Sequence, residues 1–286
     1  MSGIIWLASY PKSGNTWFRI FLTNLLRNTD TPANINELKS FPIACAREVF
    51  DQNIGYEASD LTTDEIERLR PELYIHLAEN ATETLFMKIH DAYTAVVDGM
   101  PLIPQAATAG SLYIIRNPLD VAVSFAHHNG LNYDTAISCM ADEAFAVCRK
   151  TDRLHDQLCQ KLFSWSDHVL SWIDAAPFPV CLLRYEDMKA RPLETFARAA
   201  HFAGLSHSDE QIRKALEFSS FDVVKQQEEA EGFKEKSPVA GRFFRKGDSG
   251  SWREELNEAQ VQRIVNYHRE VMQRFGYLDE NGEIVV

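Results

Sequence analysis

Short, nearly unbroken apolar runs alternate along the chain with longer stretches in which apolar residues return every three or four positions. The first run, Ile4-Ile5-Trp6-Leu7-Ala8, is stopped at Pro11 and reads as a buried strand. From about Thr16, the residues Trp17, Ile20, Phe21 and Leu25 fall on one helical face. The pattern predicts further strands over 84–89, 111–115 and 180–184. Arg116-Asn117-Pro118 ends the third strand, with Pro118 suited to the first position of a helix. Helices are predicted roughly over 119–128, 134–149, 153–175, 192–203, 208–217 and 257–275. Residues 28–80 read as irregular and polar apart from a helical patch over 63–70, and the polar, glycine-containing stretch 226–251 reads as a mobile loop. Strands alternating with helices predict an α/β fold with a P-loop-like, mainly parallel sheet flanked by helices. Ligands of such sheets bind beyond the carboxyl ends of the strands. Residues 9–16, His90, Arg116 and Tyr185 are therefore expected at one edge.

Composition narrows this picture. With 286 residues, 45% of them apolar, and neither a linker nor an internal repeat, the chain is expected to form one domain over 1–286. The formal net charge of −12 argues against nucleic acid or an anionic membrane as a bulk partner, while leaving room for a local cationic pocket. Five cysteines, an odd number without a C-x-x-C pair, argue against a disulfide framework or a zinc cluster and fit a reducing compartment as small buried hydrophobes. No basic leader precedes the first strand, and no run approaches the ~20 apolar residues that span a bilayer, so the expected location is cytoplasmic.

The candidate chemistry begins in Tyr10-Pro11-Lys12-Ser13-Gly14-Asn15-Thr16-Trp17, between the first strand and the first helix. Backbone N–H groups and the helix dipole favour an anion there, Lys12 adds full charge, Ser13, Asn15 and Thr16 add donors, and Gly14 permits close approach. The lysine precedes the only glycine, so this is not the G-x-x-x-x-G-K-[ST] order that places a metal-binding hydroxyl beside the lysine. An ordinary strand-to-helix turn explains Gly14 but not the polar residues around it. Lys88 and His90 end the second strand two residues apart, hence on one face, and an imidazole can accept a hydroxyl proton near neutral pH. His127 and His128 are alternative bases or acceptor-side residues. Arg116 leaves the third strand able to fork onto a phosphate or to pair with Asp120, and Ser124 follows about two helical turns on. Arg245-Lys246-Gly247 is a cationic patch that binds an anion or is simply solvated. Trp17, Tyr185 and Phe221 offer flat faces to a purine or to the core.

These segments, in order and spacing, resemble the cytosolic-type sulfotransferase family, which uses 3′-phosphoadenosine 5′-phosphosulfate (PAPS). The resemblance covers nearly the whole chain. It implies that residues 12–16 bind the 5′-phosphosulfate and that Trp17 stacks on adenine. It further implies that Arg116, Ser124, Arg245, Lys246 and Gly247 hold the 3′-phosphate. Tyr185 is similar to the family tyrosine that faces the adenine, and Ser219-Ser220-Phe221 resembles another adenine-contacting segment, which points to Ser219 and Phe221. His90, in a Lys-x-His segment, corresponds to the catalytic base, with Lys12 and Lys88 stabilising charge on the transferring sulfonate; no metal is implied. The expected acceptor is a phenol, an alcohol or a small natural product, with 28–80 and 226–243 as acceptor-side walls. Two departures stand out. Asp91-Ala92 replaces the usual Leu-Pro after the histidine, and Asp91 would raise the imidazole's basicity only if it could reach it. Residues 253–262 do not match the family's dimer segment, although an oligomer stays possible. A P-loop small-molecule kinase and a non-catalytic nucleotide-binding protein are the competing readings.

Overall fold

The computed structural model describes residues 3–38, 40–150 and 154–285. They fall into two compact units interleaved in sequence. Unit 1 comprises Met1–Tyr10, Ser40–Tyr113 and Glu143–Leu182, and unit 2 comprises Pro11–Lys39, Ile114–Asp142 and Leu183–Val286.

Unit 1 is organised by the sheet. Strands β1 (Ile4–Ser9), β2 (Leu85–Ile89), β3 (Thr108–Ile115) and β6 (Val180–Arg184) lie in the order β2-β1-β3-β6. β1 and β2 are parallel, with Ile4 opposite Leu85 and Ala8 opposite Ile89. All six residues of β1 are buried, which is why its sequence is apolar from Ile4 to Ala8 rather than alternating. The α/β class and the parallel sheet are as the pattern predicts. The segment before β2 is not. Where the sequence reads as irregular, the chain forms α2 (Arg47–Ile54) and the 17-residue α3 (Thr63–Glu79). A capping box starts α3: Thr62 Oγ1 accepts from the Glu65 N–H, and the Glu65 carboxylate accepts from the Thr62 N–H at 2.8 Å. Pro71 inside α3 is what cuts the helical pattern short at 70.

The helix predicted over 134–149 also ends early, at Ala141. Two-residue strands β4 (Ala146–Val147) and β5 (Gln160–Lys161) pair antiparallel within the stretches predicted as helix. The helix predicted from 153, a residue outside those described, begins at Trp165 as α6 (Trp165–Leu170) and continues as a wider π turn over Ser171–Ala175.

Unit 2 takes the last two residues of β3 and of β6 and carries the helices α1 (Asn15–Arg27), α4 (Pro118–Asn129), α5 (Tyr133–Ala141), α7 (Tyr185–Ala190), α8 (Pro192–Phe202), α9 (Asp209–Phe218), α10 (Phe221–Glu231), α11 (Trp252–Glu255) and α12 (Glu258–Arg274). Asn117 caps α4 by accepting from the Leu119 N–H, and Pro118 occupies the first turn. The buried face of α1 packs Phe18 and Phe21 against Phe196 of α8, with the Phe21 and Phe196 rings 4.4 Å apart. A second cluster joins Ile20, Ile35 and Leu38 to Val224, Phe233 and Phe244. α10 takes the first part of the predicted 226–251 loop, and 232–251 carries no helix or strand.

Candidate active site

The loop that follows β1 belongs to unit 2. It turns through a left-handed Lys12 (φ 71°) into Gly14 (φ 108°), the N-cap of α1. Gly14 supplies no side chain to cap the helix, and the first turn carries no acidic residue. This end of the helix therefore carries no side-chain cap and no acidic charge to offset the positive end of its dipole. Ser13 is fully buried, and its hydroxyl has no hydrogen-bond partner among the described residues. Both features fit an anion seated on the loop. A Cβ at Gly14 would lie 2.7 Å from the Tyr185 ring, so the aromatic face and the loop backbone meet as only glycine allows. Lys12 Nζ lies 3.3 Å from His128 Nδ1 and 4.0 Å above the Phe243 ring.

Arg116 ties three predicted segments together. Its guanidinium donates to the Lys12 carbonyl at 3.1 Å and to the Asp248 carbonyl at 2.9 Å, and it lies 4.2 Å over the Tyr185 ring. The Tyr185 hydroxyl donates in turn to the Gly247 carbonyl at 2.8 Å. Arg116 Nε is buried without a partner among the described residues. The alternative pairing of Arg116 with Asp120 does not form. Asp120 instead accepts from the N–H groups of Gly250 and Trp252 and from the Ser251 hydroxyl, and so shapes the turn that follows the cationic patch. Gly247 (φ 68°) is pressed by Phe221, whose ring a Cβ there would meet at 2.3 Å. Trp17 is half-buried between Tyr185 and Phe196. Ser124 is half-buried on α4. Ser219 spends its hydroxyl on the Ala215 and Leu216 carbonyls at the end of α9.

The cationic patch is balanced by carboxylates that sequence reasoning missed. Arg245 pairs with Glu255 at 2.6 Å, and Lys246 pairs with Glu254 at 2.8 Å. Burial pushes Glu255 up, but hydrogen bonds from His127, Tyr133 and Arg245, with the Arg245 charge, outweigh it and bring the carboxyl to about 2. His127 is therefore a partner of Glu255, at 2.7 Å, and His128 a neighbour of Lys12. Only the sequence position of Glu254 and Glu255, within ten residues of the patch, could have signalled them.

In unit 1, the β1–β2 register brings Ser9 and His90 out of the sheet side by side. His90 Nδ1 donates to the Ser9 carbonyl at 2.7 Å, because a carbonyl can only accept. The proton on Nδ1 is thereby directed at the Ser9 backbone, and the Ser9 hydroxyl lies 3.4 Å from the same nitrogen. The His90 carbonyl accepts from His168 Nε2 at 3.0 Å, and the Tyr113 hydroxyl lies 2.8 Å from His168 Nδ1. Burial lowers the His168 pKa to about 4, so this support stays neutral. Lys88 is buried in β2, between β1 and a one-residue parallel bridge from Ile43. Asp91 does not serve the imidazole. It is fully buried and engages the equally buried Arg70 at 2.6 Å, while Arg70 also donates to the Tyr74 hydroxyl. Burial opposes the Arg70 charge, but Asp91 offsets it and holds the guanidinium protonated.

No group of three or more His, Cys, Asp or Glu residues able to hold a metal occurs among the described residues, and no described helix is long and apolar enough to cross a membrane. Residues 3–276 match the sulfotransferase domain family. Cytosolic sulfotransferase 17 of Arabidopsis thaliana is 26% identical over 299 aligned positions, covering 96% of this chain and 76% of that protein. Luciferin sulfotransferase of Photinus pyralis is also 26% identical, covering 96% and 73% respectively. Among solved structures, retinol dehydratase in complex with androsterone and the inactive cofactor PAP superposes with a TM-score of 0.63 at 22% identity, over 94% of this chain and 80% of that one. That likeness establishes a shared fold, and the match over residues 3–276 identifies the chain as a member of the sulfotransferase family.

Proposed function

We propose that the protein moves a sulfonate group from PAPS to the hydroxyl of a small acceptor, with His90 as general base. The observation that carries the donor assignment is the uncapped N-terminus of α1 behind Lys12 and Gly14, with the buried Ser13 hydroxyl beside it. PAP in the retinol dehydratase complex supports the desulfonated nucleotide as product. The donor supplies an activated sulfonate. Residues 12–16 hold its 5′ end, Arg116, Ser124 and Arg245–Gly247 its 3′-phosphate, and Trp17, Tyr185 and Phe221 its base. For Arg245 and Lys246 this role requires the phosphate to exchange with Glu255 and Glu254.

Transfer is an in-line displacement. The acceptor oxygen forms a bond to sulfur as the bond from sulfur to the bridging phosphate oxygen breaks, and the acceptor proton passes to His90 Nε2. Lys12 and Lys88 offset the charge developing on the sulfonate and on the leaving phosphate. As in phosphoryl transfer, the protein contributes positioning and electrostatics. In a PAPS assay read by mass spectrometry, His90→Ala is expected to lose at least about 100-fold in kcat while retaining PAP affinity. Lys12→Ala is expected to lose both. Near-wild-type turnover by His90→Ala removes it as the base.

A further inference from the structure

α3 presents Thr63, Ile66, Glu67 and Arg70 along one face, and this face forms a wall of a cavity of about 140 Å³ inside unit 1. Leu61, Leu102 and Leu158 also line it. Neither His90 nor any residue of the 11–17 loop contributes to the lining. Two of its cations are already matched, Arg70 by Asp91 and Lys161 by Glu67, each at 2.6 Å. Arg47, Arg149 and Lys150 also line it, and none is in an ion pair among the described residues. This is a local cationic excess in a chain of net charge −12.

The second observation concerns two nitrogens in the same lining. Arg47 Nε donates to the His155 carbonyl at 2.9 Å, yet Arg47 Nη1 is buried with no hydrogen-bond partner among the described residues. The same holds for His155 Nε2. Two adjacent buried polar groups in this state call for an acceptor that arrives with the ligand. A carboxylate answers the guanidinium in charge and geometry and can also accept from an imidazole N–H. Leu61, Leu102 and Leu158 give the otherwise polar cavity an apolar wall, and a space of roughly 150 Å³ holds a single benzene ring. We propose that this cavity binds a single-ring aromatic carboxylate, its ring among the leucines and its carboxylate on Arg47 and His155. Two sources share that chemistry: an acceptor that carries a carboxylate, and an effector that is not itself sulfonated.

Titration calorimetry of the full chain with benzoate and benzamide, without PAPS, tests the site independently of the transferase reading. Benzoate is expected to bind one to one and benzamide at least tenfold more weakly. Arg47→Gln should weaken benzoate at least tenfold, Arg47→Lys less, and Arg149→Gln, on the exposed rim, a few-fold. Cys148 and Cys159 line the cavity, so benzoate should also slow their alkylation by iodoacetamide. Equal binding of benzoate and benzamide, or unchanged benzoate affinity in an Arg47→Gln protein with native circular dichroism, overturns the proposal. If Arg47→Gln does not fold, unchanged affinity in both Arg47→Lys and Arg149→Gln overturns it equally. With PAPS present, sulfonation of 4-hydroxybenzoate that weakens with Arg47→Gln identifies an acceptor. Benzoate binding without such sulfonation identifies an effector, and either result upholds the site.

Discussion

The imidazole of His90, the base in the proposed reaction, is oriented by a backbone carbonyl rather than by a carboxylate. The Lys-x-His spacing singles the residue out in the sequence. The ring orientation is not legible there, because it depends on Ser9, 81 positions away, reached through strand register. Asp91 shows the opposite limit: an acid next to a candidate base invites a catalytic reading, yet its partner is Arg70 on a helix the pattern only half reveals. Removing one member of a buried pair leaves an uncompensated charge, which typically costs about 3–5 kcal/mol. Arg70→Leu is therefore expected to lose about that much stability in urea unfolding, and the double variant Arg70→Leu/Asp91→Leu to recover most of it. A double variant no more stable than the single one would show that packing, not charge, sets the loss.

Among elements, the strands and the helices beginning at Pro118, Pro192 and Asp209 were the most legible, because unbroken apolar runs and sharp starting signals mark them. The 11–17 loop and Arg116 stand where the pattern puts them, one between a strand and a helix and the other at a strand end. The stretch 28–80 was not legible. α3 carries a proline in its interior, and its buried positions are few and partly polar, Arg70 among them, so its amphipathic signal is weak. What starts it is local: the reciprocal bonds between Thr62 and Glu65. Thr62→Ala is expected to destabilise the protein by about 1 kcal/mol. In a chain of this size that lowers Tm by about 2–4 °C in a thermal scan. An unchanged Tm would mean that packing alone sustains the first turn. The β4–β5 pair was illegible for another reason, since two-residue strands leave no periodicity to read.

The whole molecule carries a stability dependence on acid. Burial pushes both His168 and His268 down to about 4, against about 6.5 in the unfolded chain. Between those values the unfolded state binds more protons, so their contribution is complete above pH 6.5 and is lost as pH falls through 4. Each histidine is worth up to ~3 kcal/mol over that window. Glu186, whose pKa burial raises, opposes part of the loss near the lower end. The urea midpoint is expected to fall steadily from pH 7 to 4.5, and His268→Gln to flatten the slope by about half. A midpoint constant over that range would contradict the burial of both rings.

The interleaving of the two units also bears on how the protein is made. The chain passes between them five times, leaving unit 1 after Tyr10 and for the last time after Leu182. A ribosome that has extruded Leu182 has thus delivered every segment of the sheet-bearing unit, while the helical unit still waits for roughly 100 residues, on the order of 5–20 s of synthesis. During that interval the 11–17 loop and α4 are already exposed with no α8 to α12 to cover them. The nascent chain therefore carries Phe18 and Phe21 without their partner until Phe196 emerges, a window in which the helical unit has apolar surface for a chaperone to hold.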